Sequence, residues 1–266
     1  MKKSILKSTF IIIFLLASLV QGNSRDYTPL KDGAFVNGID GRVLVSDSNN
    51  VYKFIPNSDI KDGLAVIKAG SAIEMLYSTG LAKIIENLPR QAGEPNSGIR
   101  LWARITTYRD KNYIFPIYFL PFKQVDKKKQ AQGSQTALAV NEPNDPLSIP
   151  PEVLEKLTTG KVIEPIQIRS GIELKEDRIL ADRTGYISKQ KDGRYTFSFD
   201  ALGRNIDKTF ITLLPCKALE IAIAEQKDEP ETIRFKAAGI VTEYQGNFYL
   251  LLQRTSRVYS NGNLPK

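Results

Sequence analysis

Histidine is absent from this chain of 266 residues, and cysteine occurs once, at Cys216. The absence of histidine removes the most common general base, the most common zinc ligand and every Ser-His or Cys-His nucleophile pair. One cysteine cannot form an internal disulfide, so the fold depends on packing or on pairing with another chain. Because the sequence around Cys216 is apolar, we expect a buried structural thiol rather than a reactive one.

The chain also lacks the glycine-rich patterns of phosphate-binding and dinucleotide-binding loops, and we expect neither a cofactor nor a metal site. Acidic residues cluster at 173–177 and 225–229. Such clusters are typical of solvated loops, although glycoside hydrolases use carboxylate pairs. We therefore predict a protein that is not an enzyme, and the alternative is a hydrolase that uses these carboxylates or Cys216.

The first 22 residues have the pattern of a signal peptide. Lys2, Lys3 and Lys7 form a basic start, and an apolar run of 12 residues follows from Thr9 to Val20. A membrane-spanning helix needs about 20 apolar residues, whereas the apolar region of a signal peptide needs about 7 to 15. We predict export to the periplasm or cell envelope of a bacterium with cleavage after Gly22, and the alternative is an uncleaved anchor.

Removal of three lysines lowers the count of basic residues from 37 to 34, against 29 acidic residues, so the mature charge is +5. This modest excess permits an anionic partner but does not identify one. The expected partners are an unknown envelope protein, lipid or glycan. Nucleic acid is not expected as a partner because the protein is predicted to be exported, and no transmembrane span is expected after cleavage.

A repeat organises the rest of the chain. The sequence TTYRDKNYIF at Thr106–Phe115 returns as TEYQGNFYLL at Thr242–Leu251, and three shorter upstream matches follow the same order in both halves. Self-similarity of this kind indicates a duplicated structural unit. We predict a first β-rich domain at 23–120, a polar linker rich in proline and lysine at 121–151, and a second β-rich domain at 152–266.

Each unit contains two pairs of short β-rich runs around polar turns, with a helical pattern between the pairs. The helical segments are SAIEMLYSTGLAKIIENL, starting at Ser71, and the shorter CKALEIAIAEQ, starting at Cys216. We predict a mainly β fold with a minor α content (α+β), formed by two tandem small β-barrels or OB-like domains. A plain α+β sandwich fits the same pattern and stays open.

Aromatic residues flanked by arginines are the candidate ligand-binding residues. Most aromatic residues in strands belong to a core, but an alternating strand buries only one face, so some rings can stack on bases or sugars. The candidates are Trp102, Arg104, Arg109, Arg254 and Arg257.

The segment Leu213–Leu252 resembles a motif of uncharacterised exported proteins from planctomycete-type bacteria. The residues that carry the resemblance are LLPCKALE, starting at Leu213, and GIVTEYQGNFYLLL, starting at Gly239. The resemblance implies a bacterial envelope setting and transfers no activity to any residue.

Export, duplication and missing catalytic motifs together predict a non-catalytic envelope or periplasmic protein whose paired β-domains act as a structural or binding module. The alternative within binding proteins is an OB-like module for a polyanion or a glycan. Its affinity would depend on salt, because exposed charges are screened by ions.

Overall fold

The computed structural model describes five stretches of the chain, which are residues 29–46, 51–87, 98–122, 161–200 and 210–259. The predicted signal peptide lies outside the described residues, as does nearly all of the predicted linker. Strand is the main secondary structure in the described stretches, in agreement with the predicted fold class.

The first unit is a closed barrel of five strands. Its strands are β1 (Phe35–Ser46), β2 (Val51–Pro56), β5 (Ile73–Met75), β6 (Gly98–Tyr108) and β7 (Lys111–Phe122). A small hairpin of β3 (Ile60–Lys61) and β4 (Val66–Ile67) stands apart, and helix α1 (Thr79–Asn87) joins β5 to β6. The order around the barrel is β1-β2-β5-β7-β6, and only the β5–β7 pairing is parallel.

The second unit repeats this arrangement. Helix α2 (Pro165–Arg169) precedes β8 (Arg178–Lys189), β9 (Tyr195–Phe199), β10 (Phe210–Leu213), helix α3 (Lys217–Lys227), β11 (Arg234–Tyr244) and β12 (Asn247–Arg257). The barrel order is β8-β9-β10-β12-β11, and the parallel pair is β10–β12.

Both barrels therefore have the strand order 1-2-3-5-4, with strand 4 closing on strand 1 and a helix between strands 3 and 4. This is a five-stranded OB-like barrel. The prediction of duplicated OB-like barrels is confirmed, and the sandwich alternative is wrong because each sheet closes on itself. Closure pairs the long strand edges, which would otherwise be open to other chains.

One contact inside the barrels is repeated in both units. Phe54 on β2 and Phe197 on β9 are fully buried, and each ring lies where a glycine of the neighbouring strand has no side chain. Gly41 and Gly185 are those glycines. A Cβ atom at either position would lie under 3 Å from the phenylalanine ring and from a backbone oxygen, so glycine is required for close strand packing.

The predicted helix from Ser71 is partly wrong. The first third of this segment contains β5, which pairs with β2 on one side and with β7 on the other. The side chains of Ile73 and Met75 are both buried, so the apolar residues of this part alternate as in a strand. The helix starts only at Thr79, where the Ser78 hydroxyl accepts a hydrogen bond from the Leu81 N–H at 2.9 Å. In the described residues, α1 has 9 residues and α3 has 11.

The predicted hairpins around the repeated sequence are confirmed. Their two-residue turns are Arg109-Asp110 and Gln245-Gly246, and all four residues have positive φ angles. Only glycine adopts this conformation without steric cost. The turn of the first barrel is therefore the more strained one.

We expect Asp110→Gly to stabilise the protein by about 0.5 kcal/mol, because glycine removes a side chain from a left-handed position at φ 59°. Chemical denaturation measures the change. The reverse substitution in the other repeat, Gly246→Asp, is the matched variant and should destabilise by a similar amount. Equal stability of all three proteins would contradict the strain argument.

Candidate binding cleft between the barrels

The two barrels meet through equivalent parts of the repeat. The Thr106 hydroxyl of β6 donates a hydrogen bond to the Pro215 carbonyl, which precedes α3, at 3.0 Å. In the reciprocal contact, the Thr79 N–H at the start of α1 donates to Thr242 Oγ1 of β11 at 2.8 Å. Thr106 and Thr242 are the first residues of the repeated sequence. Each barrel thus places the same threonine against the start of the other barrel's helix, as in a symmetric dimer.

Aspartates reinforce both contacts. Asp177 Oδ1 accepts hydrogen bonds from the hydroxyls of Thr79 at 2.6 Å and Thr242 at 2.7 Å. On the other side, Asp32 Oδ1 accepts from the Thr107 N–H at 2.7 Å and, more weakly, from the Lys217 N–H at 3.4 Å. Burial raises the pKa of Asp177, against the opposing effect of the two hydroxyl donors. The barrels are therefore joined by polar contacts that are mostly partly buried, as well as by apolar packing.

Tyrosine rings from both barrels form a stack across the contact. Tyr77 lies between two rings of the second barrel: it stacks on Tyr244 at 4.8 Å between centroids and is tilted against Tyr249 at 5.2 Å. Tyr52 meets the edge of Tyr244 at 6.4 Å. Burial raises the pKa of Tyr244 and of Tyr249, so both phenols stay neutral at physiological pH.

A cleft of about 260 Å³ opens beside this stack, between the barrels. Its lining is mostly apolar and combines tyrosine rings with aliphatic side chains of β5, β10 and α3. The aromatic lining residues are Tyr77, Tyr108, Tyr195 and Tyr249, and the aliphatic ones include Met75, Leu213 and Leu219.

Charged groups lie at the edge of the cleft. Glu74 is paired with Lys111 at 2.7 Å. Arg194, on the turn between β8 and β9, is paired with Asp192 at 2.6 Å, and both side chains are largely exposed. The hydrogen bond that Arg194 donates to Asp192 and the charge of that carboxylate raise the pKa of Arg194, with smaller contributions from Tyr249 and Tyr77, so this guanidinium is a permanent cation beside the rings.

Of the residues predicted from the sequence, Trp102 and Arg104 lie together on β6, away from this cleft. Trp102 is 4% exposed; its Nε1 donates to Asn37 Oδ1 at 2.9 Å, and its ring is tilted against Tyr118. A ring so enclosed offers no open face for stacking. The Nε atom of Arg104 is buried and has no hydrogen-bond partner among the described residues.

The other three predicted arginines do not converge on one surface. Arg109 lies on the β6–β7 turn, where its guanidinium is 5.0 Å from the centre of the Tyr108 ring and its backbone N–H donates to Glu220 Oε2 of the second barrel. Arg254 is paired with Asp182 at 2.6 Å. Arg257 is paired with Glu229 and lies over Tyr259. Only Arg109 adjoins the contact between the barrels.

Cys216 is buried directly before α3, as expected for a structural thiol, and burial raises its pKa to about 12. Because the thiolate is the reactive form, we expect no modification by a maleimide at pH 8 in the folded protein and complete modification in denaturant. Mass spectrometry measures both. Rapid labelling of the folded protein would contradict this assignment and would favour the thiol hydrolase.

Among the residues that the structure describes, the acidic clusters do not form a carboxylate pair. Asp177 is engaged by two threonines at the barrel contact, and Glu173 and Glu176 are exposed. In the described part of the chain, no group of three or more potential metal ligands comes together.

Sequence reasoning missed Tyr77 and Arg194. Tyr77 was assigned to a helix, although it follows a strand, and Arg194 belongs to a polar turn with no motif. Tyr108 and Tyr249 both belong to the repeated sequence. Their meeting in one cleft depends on how the barrels pack, which no local pattern specifies.

The fold and the cleft define a class of protein, a tandem pair of OB-like barrels that form a joint cleft. No family model and no curated protein matches the chain. Among solved structures, it is similar to a deletion mutant of the single-stranded DNA binding protein from Thermus aquaticus. The match has 9% sequence identity and a TM-score of 0.21, and covers 88% of this chain and 98% of that one. These values are too low to transfer a ligand, so the fold assignment rests on strand order.

In the described residues, no helix is both long enough and apolar enough to cross a membrane.

Proposed function

We propose that this protein is an exported, non-catalytic binding module of a bacterial cell envelope, and that the cleft between its barrels receives a group projecting from an envelope partner. The observation that carries the proposal is the joint tyrosine lining of the cleft, with Tyr77 and Tyr108 from one barrel and Tyr195 and Tyr249 from the other. Apolar concave sites with a few polar groups at the edge are typical binding sites.

The same cleft favours binding over catalysis. Its lining contains no cysteine, and its carboxylate, Glu74, is already paired with Lys111. General acid–base chemistry needs a group whose protonation state can change near the working pH. Burial raises the pKa of Tyr108 and of Tyr249, so these two phenols stay protonated and offer ring surface and hydroxyl hydrogen bonds.

The polyanion or glycan alternative is less well supported. It requires the arginine-flanked aromatic residues to form one surface, whereas the Trp102 ring is enclosed and the arginines at 109, 254 and 257 each contact a different set of residues.

Affinity capture tests the proposal. The mature protein is immobilised and exposed to native envelope fractions, together with Tyr249→Ala and, as a matched control, Tyr113→Ala. Tyr113 is the repeat equivalent of Tyr249, but it does not line the cleft. We expect a component that is retained by the wild type and by Tyr113→Ala and is lost with Tyr249→Ala.

Circular dichroism must show that both variants are folded. If the folded Tyr249→Ala variant retains the same components as the wild type, the cleft is not the binding site and the proposal is wrong.

A further inference from the structure

We infer that the cleft accepts one aromatic side chain from an acidic peptide segment of a partner protein, with the partner's carboxylates facing the turn that carries Arg194. This inference names the partner chemistry of the site and rests on the proposed function.

The size of the cleft indicates a single side chain. Pockets for free small molecules have volumes of about 300–1,000 Å³, and this cleft has about 260 Å³. It is also open to solvent at the β8–β9 turn, because Gly193 and Arg194 belong to its lining and are exposed. An open site of this size suits an anchoring group that remains attached to a larger partner.

The lining indicates an aromatic group. Aromatic rings favour tilted or offset contacts with centroids about 4.5–7 Å apart. Tyr77 already makes such contacts with Tyr244 and Tyr249, and the rings of Tyr108 and Tyr195 line the same space. An aromatic side chain of the partner therefore adds one more ring to an aromatic cluster that the protein already has. Interface anchors are commonly tryptophan and tyrosine, which fill desolvated pockets of this kind.

The positive charge at the edge of the cleft indicates that the partner carries carboxylates beside its aromatic side chain. The end of β8 and the turn that follows it carry Lys189, Lys191 and Arg194 against a single acid, Asp192, and all four residues are exposed. Exposed ion pairs contribute little to stability, so Arg194 can exchange Asp192 for a carboxylate of the partner. The acid inside the lining, Glu74, is neutralised by Lys111 and does not oppose an acidic peptide strongly.

Three capped tripeptides test the inference by isothermal titration calorimetry with the full mature protein. They are acetyl-Asp-Trp-Asp-amide, acetyl-Lys-Trp-Lys-amide and acetyl-Asp-Ala-Asp-amide, which separate the ring from the charge. We expect the first peptide to bind about tenfold more tightly than either of the others, because it alone meets both the rings and the basic turn.

Two arginine variants test which guanidinium contacts the carboxylates of the peptide. Arg194→Gln should weaken binding of acetyl-Asp-Trp-Asp-amide about fivefold or more. Arg254→Gln is the matched control, because Arg254 has the same pairing distance of 2.6 Å to one aspartate and a similar exposure, 66% against 63%. It should leave the affinity unchanged. Both substitutions are at exposed side chains, so neither should prevent folding.

Other outcomes would overturn the inference. Equal binding of the lysine peptide would exclude the carboxylate preference, and equal binding of the alanine peptide would indicate a simple polyanion site. Loss of affinity in Arg254→Gln alone would move the site to the far end of β12, and absence of binding by all three peptides would exclude an acidic aromatic partner.

These failures are distinguishable from failure of the proposed function. If the capture experiment still shows a component that depends on Tyr249, the cleft binds something else and only the partner chemistry is wrong.

Discussion

Replacing Gly185 with alanine is expected to destabilise the protein by about 3 kcal/mol, at the upper end of the cost of overpacking a core. The added Cβ atom would lie 2.2 Å from the backbone oxygen of Ser198 and 2.7 Å from the Phe197 ring. The Phe197 side chain can adjust, but the Ser198 oxygen belongs to the neighbouring strand. Relief therefore requires β8 and β9 to separate.

The repeat supplies an internal comparison. Gly41→Ala should have a similar cost in the first barrel, where the added Cβ atom would lie 2.5 Å from the Ile55 oxygen and 2.4 Å from the Phe54 ring. Gly246→Ala is the control, because its Cβ would meet nothing within 4 Å and its cost is limited to the positive φ angle, about 1 kcal/mol. Denaturant unfolding measures all three variants. A Gly185→Ala protein no less stable than Gly246→Ala would contradict the barrel packing.

The second large effect concerns Asp177 at the contact between the barrels. We expect Asp177→Ala to be less stable than Asp177→Asn by about 2 kcal/mol, because alanine leaves the Thr79 and Thr242 hydroxyls without their acceptor. Asparagine keeps an oxygen at the same position and carries no charge. The two variants therefore separate the hydrogen bonds of Asp177 from its ionisation.

The wild type should differ from Asp177→Asn in its pH dependence. Burial raises the pKa of Asp177 in the folded protein above its unfolded value of about 3.9. The stability contributed by the protonated carboxyl is therefore fully present below about pH 3.9 and is lost as the pH rises through the folded pKa. Within that window the wild type should lose up to about 1.4 kcal/mol per pH unit relative to Asp177→Asn.

Urea unfolding of both proteins between pH 3.5 and 8, on the order of six pH values, measures this difference. A constant difference across the range would mean that the Asp177 carboxyl is as solvated in the folded protein as in the unfolded chain. A difference of opposite sign would mean that the two threonine hydroxyls outweigh burial.

Much of the architecture could be predicted from the sequence because it depends on local patterns. Alternating strands, polar turns and the repeated hairpin predicted two OB-like barrels, and the helix at Lys217–Lys227 agrees with its predicted segment, Cys216–Gln226, to within one residue at each end. The segment from Ser71 misled the helix prediction, because a strand of three residues shows too few alternations to be distinguished from a helical turn.

The candidate site could not be predicted in the same way. The arginine-flanked aromatics were chosen by proximity in the sequence, but Trp102 is enclosed and the arginines have separate partners. The cleft instead joins Tyr77 and Tyr108 with Tyr195 and Tyr249, more than 85 residues away along the chain, counted from Tyr108 to Tyr195. The repeat predicted that two barrels exist and left open how they face each other.

The central claim is that the cleft between the barrels is an aromatic binding site, and a titration with indole tests it most directly. The protein is labelled with ¹³C in its tyrosine rings and observed by NMR. The account predicts saturable shifts at Tyr77, Tyr195 and Tyr249, which line the cleft, and none at Tyr118, which lies against Trp102. Shifts confined to Tyr118, or no shifts at millimolar indole, would contradict it.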